Sequence, residues 1–136
     1  MEIKVEWEIL EDTDSSWESC RCLYAYLAPK GKEILYIGKA WGTSVRNRWS
    51  RNGKEEFWED LEKQRGIKYH IPLIGKIYLQ VGRRLTGELL ADVESLLINI
   101  EKPWGNIQSQ KNRIGRPGMR VTCNGTWPGQ GLYIDK

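Results

Sequence analysis

Two tyrosine-bearing segments separated by a short turn signal constrain the fold of this chain more than any other feature. The first reads CLYAYL at positions 22–27, and the second reads LYIGK at positions 35–39. Pro29 and Gly31 lie between them; proline presets φ, and glycine tolerates positive φ in turns. Because apolar and β-favouring residues flank this turn, the pattern predicts a β-hairpin.

Side chains of a strand alternate between its two faces, so the hairpin has an apolar face and a tyrosine face. Tyr24 and Tyr26 share the tyrosine face, and a loop with an odd number of residues would add Tyr36 to it. Two interpretations stay open at this point. The phenols either pack as ordinary strand residues or, with Lys39 directly after the second segment, form a site.

The bulk composition permits a nucleic-acid partner and argues against several other classes. The chain has 136 residues, which suits one domain, and a net charge of +3, which permits a polyanionic partner. Three cysteines and one histidine do not make the usual Cys/His zinc site. No apolar stretch approaches membrane-spanning length, so we expect no membrane association and a reduced, cytoplasmic protein.

The remaining pattern predicts an α/β (α+β) fold. Strands are expected at 3–10 and 68–81, with a further short strand near 119–123, and helices after Thr43 or Ser44, over 54–65, and from Thr86 to about Glu101. We expect a single domain over 1–136, with a small, mostly antiparallel three-stranded sheet of the hairpin and the 68–81 strand flanked by helices. Its core spans about 20–108, between an N-terminal strand segment, 1–19, and a Gly/Pro-rich C-terminal extension, 109–136.

The helix after Thr86 carries an acid at the margin of its apolar stripe. At 100° per residue the stripe comprises Leu89, Leu90, Val93, Leu96, Leu97 and Ile100. Glu94 has Leu90 four residues before it and Ile98 four residues after it, which makes them direct neighbours. A partly desolvated carboxylate is costly unless a cation, a metal or a donor receives it. A salt bridge and a functional site explain Glu94 equally well on helix geometry alone.

These features, in this order, resemble the GIY-YIG nuclease superfamily. Residues 22–24 stand where that family has its first tripeptide, and residues 36–38 match the second. Arg46 and Lys39 follow at the spacing of the amino-terminal domain of the bacterial excision-repair incision nuclease. Glu94, then Pro103 and Asn106, repeat the family's acidic helix and the turn after it. The resemblance covers Cys22 to about Ile107.

The resemblance implies a metal-dependent endonuclease that hydrolyses phosphodiester bonds in DNA, with RNA not excluded. Glu94 would hold one divalent cation, Mg²⁺ or Mn²⁺, and Tyr24 would be the general base, its phenolate favoured by Lys39 and Arg46. Tyr36 would orient the water or bond the phosphate. The resemblance also implies catalytic roles for Lys39 and Arg46, which would contact nucleic acid together with Arg48 and Arg51, and structural roles for Gly38 and Asn106.

The chain departs from the family pattern at two places. Cys22 and Leu23 replace Gly and Ile of the first tripeptide, and Ser50 stands where several relatives carry a histidine. Two alternatives to the nuclease therefore stay open: a nucleic-acid-binding module of the same fold with little activity, and a protein-interaction subunit. Specificity would come from a homodimer or from a partner protein. His70, in a strand-like segment, is interpreted as structural.

Overall fold

The computed structural model describes residues 1–50, 54–109 and 115–136. The strands are β1 (Glu2–Ile9), β2 (Arg21–Leu27), β3 (Ile34–Trp41), β4 (Ile71–Leu79), β5 (Arg120–Gly125) and β6 (Leu132–Ile134). The helices are α1 (Val45–Ser50), α2 (Lys54–Arg65) and α3 (Gly87–Glu101), and single 3-10 turns occupy Ser15–Glu18 and Trp104–Ser109. None of the helices in these parts of the chain is long and apolar enough to cross a membrane.

The six strands form one mixed sheet in the order β3-β2-β4-β1-β5-β6. Neighbouring strands are antiparallel except β1 and β5, which are parallel. The prediction of an α+β fold is confirmed, but the prediction of three strands is wrong. The predicted three strands are β3, β2 and β4. The two terminal segments add strands to them, because β1 has alternating apolar residues and needs a neighbouring strand on each side.

Helices cover both faces of the sheet. α3 packs its apolar stripe on the face that carries Leu23, Ala25 and Leu27, as predicted. α1 and α2 cover the tyrosine face, where Val45 and Leu61 join Tyr24 and Tyr26 in a second core. Ile100, predicted in the stripe, is 38% exposed, whereas Ile98 is buried, so the buried stripe of α3 ends at Ile98. The site described below lies where β3, at the edge of the sheet, meets α3.

Side-chain caps are present at two of the predicted helix starts. The Ser44 hydroxyl accepts a hydrogen bond from Asn47 N at 3.1 Å at the start of α1, and the Thr86 hydroxyl accepts one from Leu89 N at 3.1 Å at the start of α3. Each bond satisfies a backbone donor that has no partner within the helix. The cap at Ser44 fixes the phase of α1, and that phase decides which arginine reaches the site.

The predicted strand over 68–81 is β4, but it is not at an edge. It lies between β2 and β1, so Pro72 and Gly75 stand in an interior strand of the sheet. Gly75 pairs with Trp7, and a Cβ at this glycine would lie 2.9 Å from the indole ring. The small residue is therefore required by the tryptophan that packs over it, in the interior of the sheet.

Candidate active site

The hairpin places three phenols on one face of the sheet. Tyr26 pairs with Tyr36 across the two strands, and Tyr24 pairs with Gly38. The ring centroids of Tyr24 and Tyr36 are 6.1 Å apart, and those of Tyr26 and Tyr36 are 5.2 Å apart. The prediction that Tyr36 joins Tyr24 on one face is confirmed. The tyrosines of both motif segments therefore meet in the fold.

Gly38 gives the ring of Tyr24 its place. A Cβ at position 38 would lie 2.6 Å from the phenol oxygen of Tyr24, which is closer than side-chain carbons approach other atoms. Any other residue here would push Tyr24 off its partner strand. The glycine of the second tripeptide thus acts through the packing of the first tripeptide's tyrosine.

Burial keeps all three phenols protonated in the protein on its own. Tyr24 and Tyr26 have no exposed surface, and Tyr36 is half-buried. Burial is the main cause that raises the pKa of each phenol, and the Glu94 charge raises that of Tyr36 further. The protonated state of these phenols differs from the expectation that Lys39 and Arg46 would favour a phenolate. Burial outweighs nearby positive charge, and the charge that lowers these pKa values belongs to Arg48.

Glu94 faces the paired strands from α3. Its side chain is 19% exposed, and its carboxylate lies 3.8 Å from the Lys39 ammonium. Burial raises the pKa of Glu94, while the positive charges of Lys39 and Arg48 lower it. Its charge also reaches Tyr36. The acid that the sequence placed at the edge of the apolar stripe is therefore partly desolvated, pairs with Lys39 and acts electrostatically on Tyr36.

Arg48, not Arg46, lies beside the phenols. Arg48 interacts with Tyr24, Tyr36 and Glu94. Arg46 points outward, where its Nε donates to the Glu18 carboxylate at 2.7 Å and its guanidinium lies over Trp17. The position that the resemblance assigned to Arg46 is thus occupied by Arg48, which was expected only to contact nucleic acid.

The rotational phase of α1 explains why Arg48, and not Arg46, lies beside the phenols, and this phase could be read from the sequence. α1 begins after the Ser44 cap, and Val45 is its fully buried anchor. Arg48 follows Val45 by three residues and so shares its face, whereas Arg46 is rotated by about 100° away from it. Counting from the buried valine, rather than from Tyr36, selects the correct arginine.

A cationic cleft opens beside this cluster. Its volume is about 100 Å³, and Lys39, Trp41, Thr43 and Arg48 line it. Arg48 Nε is buried and has no hydrogen-bond partner within the described parts of the chain. A buried charged donor without a partner is costly, and an anion in the cleft would satisfy it. Arg51, the fourth predicted nucleic-acid contact, lies outside the described residues.

Asn106 ties the turn after α3 to the outer edge of β3. Its side-chain oxygen accepts a hydrogen bond from Ile37 N at 2.8 Å, and its amide nitrogen donates to Ile37 O at 2.9 Å. The residue is 2% exposed. This is the backbone contact that the sequence predicted for Asn106, made at the residue before Gly38. The amide replaces a neighbouring strand and closes the edge at the site.

The donor set of the site fits a hard cation held by one protein ligand. No three Cys, His, Asp or Glu side chains cluster as a metal-binding group in the residues that the structure describes. Mg²⁺ needs few protein ligands, because it keeps waters and takes phosphate oxygens. Glu94 suits this role, since its carboxylate is partly desolvated and its contact with Lys39, at 3.8 Å, is longer than a hydrogen bond.

No protein-family model, no curated protein and no solved structure matches this chain. The resemblance to the GIY-YIG superfamily therefore stays a prediction from the motif residues of the sequence.

Proposed function

We propose that this protein is a metal-dependent endonuclease that hydrolyses phosphodiester bonds in DNA. The observation that supports it is one cluster at the edge strand β3, in which Tyr24, Tyr36, Arg48, Lys39 and Glu94 share a small space. Residues from four elements, β2, β3, α1 and α3, contribute to this cluster. A core built for packing alone has no need to bring two cations, a carboxylate and two phenols together at its margin.

Arg48 and Lys39 are assigned to the scissile phosphate. Both line the cleft of about 100 Å³ beside the phenols. A guanidinium presents a planar set of donors that matches phosphate oxygens, and an ammonium adds a compact charge. Phosphate in the cleft would satisfy the buried Arg48 Nε. These donors stabilise the negative charge that builds on the phosphoryl oxygens during hydrolysis.

Tyr36 is assigned to the attacking water, and Tyr24 to the support of Tyr36. Tyr36 is half-buried, whereas Tyr24 has no exposed surface and cannot meet a water as the protein stands. A hydrogen bond with Tyr24 and the positive charge of Arg48 both lower the pKa of Tyr36. Tyr36 first loses its proton to solvent, so that a phenolate is present. The water oxygen then attacks phosphorus while its proton passes to the Tyr36 phenolate oxygen, and the phosphorus–oxygen bond to the leaving nucleotide breaks, with the leaving oxygen taking a proton from solvent. This assignment exchanges the roles expected from the sequence for the two tyrosines.

Glu94 would hold the divalent cation, Mg²⁺ or Mn²⁺. When bound, such an ion supplies Lewis-acid stabilisation of the phosphate and of the leaving oxygen. Glu94 also sets the electrostatics of the site, because its charge raises the pKa of Tyr36. Neutralising that charge would bring the phenol closer to the protonation state that a base requires.

Cleavage of labelled DNA tests the proposal. Wild-type protein is incubated with plain, nicked and branched duplexes while Mg²⁺ or Mn²⁺ is titrated, and the ends of the products are mapped. Glu94→Gln keeps the size of the side chain and removes its charge, so we expect its cleavage rate to fall by about a hundredfold or more. Glu88→Gln, on an exposed position of the same helix, should cut like wild type.

Two results would argue against the nuclease. If wild type cuts none of the substrates at any metal concentration, although it binds them, the chain is better described as a nucleic-acid-binding module. If Glu94→Gln cuts as fast as Glu88→Gln, the activity does not arise from this cluster.

A further inference from the structure

Trp41 lies at the open side of the cationic cleft. It is two residues after Lys39 on β3, so the two side chains point to the same face of the sheet, and both line the cleft together with Thr43 and Arg48. Trp41 is 36% exposed, whereas Trp7 is 1% exposed and Trp17 is 9% exposed. Keeping this much of an indole in solvent beside a charged cleft gains nothing for the core.

The indole is held in place along one edge and over one face. A Cβ at Gly87, the first residue of α3, would lie 2.9 Å from the indole nitrogen, so the edge of the ring packs directly on the backbone of that glycine. The Arg21 guanidinium lies over the ring, 5.1 Å from its centroid. α3 therefore contacts β3 twice, with Glu94 beside Lys39 and Gly87 beside Trp41. The Gly87 backbone and the Arg21 guanidinium thus hold the ring beside the cleft, and the residue stays 36% exposed.

We propose that Trp41 is a stacking platform for an unpaired base next to the phosphate in the cleft, so that the substrate is DNA with single-stranded nucleotides at a flap, gap or branch. This inference depends on the proposed function for the position of the phosphate. Stacking on an aromatic ring is a sequence-tolerant contact, because every base has a π-face. A positively charged groove beside an aromatic ring is the usual arrangement for single-stranded nucleic acid.

An intact duplex cannot use this platform. Its bases are stacked on one another, and a protein can reach a base face only when the base is unpaired or turned out of the helix. The cleft, at about 100 Å³, is too small to admit a nucleoside and suits a phosphate group. The base attached to that phosphate must therefore lie outside the cleft, and Trp41, which lines the cleft and is 36% exposed, offers it an aromatic ring there.

Binding measured without cleavage tests the proposal directly. Two labelled duplexes with the same number of phosphates, one blunt and one with a single-stranded flap, are titrated with protein in EDTA, and affinity is followed by fluorescence anisotropy. We expect Trp41→Ala to weaken flap binding by about tenfold or more and blunt-duplex binding by less than about twofold. Trp41→Phe, which keeps a ring, should retain flap binding within about threefold of wild type.

Tyr69→Ala is the matched control. Tyr69 is an aromatic residue with 79% exposure. It precedes Ile71, which pairs with Leu27, whereas Trp41 pairs with Arg21 at the other end of β2. This variant should bind both DNAs like wild type. Circular dichroism of the Trp41 variants checks that the fold is kept. If Trp41→Ala does not fold, Trp41→Leu, which keeps apolar volume but has no π-face, takes its place and should show the same flap-selective loss.

Each outcome bears on a different claim. Equal losses on both DNAs, or a wild type that binds the flap no better than the blunt duplex, would overturn the role of Trp41 while leaving cleavage to be judged by the Glu94 variants. A Trp41-dependent preference for the flap in a protein that cuts nothing would support the platform and reject the nuclease. Failure to bind either DNA at low salt would overturn both, because phosphate contacts strengthen as salt falls.

Discussion

Single residues in this protein act mainly by fitting against a specific neighbour. Gly38 leaves space for the Tyr24 ring, and His70 stacks on Trp58 with ring centroids 4.2 Å apart and planes inclined by 13°. Burial lowers the pKa of His70 from 6.5 to about 4. The histidine is thus held neutral at the margin of the tyrosine core, which agrees with the structural role that the sequence suggested for it.

The lowered pKa of His70 makes stability depend on pH in a defined window. The unfolded chain takes up a proton near pH 6.5 and the folded protein only near pH 4, so acid favours unfolding between these values. The stabilisation is complete above pH 6.5 and is lost as the pH falls toward 4. We expect the free energy of unfolding to fall by about 2 kcal/mol across this pH window, after allowance for the partial exposure of the ring.

His70→Phe keeps a ring on Trp58 and removes the titration. Urea unfolding followed by circular dichroism at pH 7 and pH 4.5 measures the free energy of unfolding of both proteins. Between these pH values the free energy of unfolding should fall more for wild type than for His70→Phe. Equal decreases would show that this histidine is not the group responsible.

At the scale of elements, the turn after α3 protects the edge of the sheet at the site. Asn106 bonds both the N–H and the C=O of Ile37. This pair of bonds requires an acceptor and a donor in one side chain, which an amide supplies and a carboxylate does not. The turn that follows the acidic helix is thereby fixed to the strand that carries Tyr36 and Gly38.

Asn106→Asp should destabilise the protein at pH 7, because a carboxylate oxygen would face the carbonyl oxygen of Ile37. We expect a loss of about 2–3 kcal/mol in the free energy of unfolding. Protonation would restore a donor, so part of this loss should be regained when the pH falls below the raised pKa of the new acid. Urea unfolding at pH 7 and pH 5 measures both effects.

Asn99→Asp, on an exposed position of α3, is the matched control. It should change stability by less than about 0.5 kcal/mol at either pH. A similar loss in both variants would mean that the backbone contact of Asn106 contributes little.

At the scale of the whole molecule, the C-terminal segment contacts α3 on both sides of Glu94. The Arg116 Nε donates to the Asp92 carboxylate at 2.8 Å, and the Tyr133 hydroxyl donates to the Glu101 carboxylate at 2.6 Å. Both partners come from the segment after α3 that also supplies β5 and β6 to the sheet. The C-terminal segment is therefore part of the structure that positions the acid.

Local features of this fold were predictable from the sequence, and long-range ones were not. The faces of the hairpin and the Thr86 cap follow from residues that are close together in the chain. The six-stranded sheet depends on Glu2 pairing with Arg120, and no local pattern indicates which strands will meet across such a distance. The same holds for the candidate site. The sequence motifs indicated Tyr24, Tyr36 and Glu94, whereas only the phase of α1 indicated Arg48.

The most direct test of the central claim compares the two arginines of α1. Single-turnover cleavage of one labelled DNA is measured for Arg48→Ala and Arg46→Ala at saturating protein. We expect Arg48→Ala to cut about a hundredfold more slowly than wild type, because it removes a donor to the phosphate. Arg46→Ala should stay within about threefold, since its exposed ion pair with Glu18 is worth little. Equal rates for the two variants, or a greater loss for Arg46→Ala, would contradict the site described here.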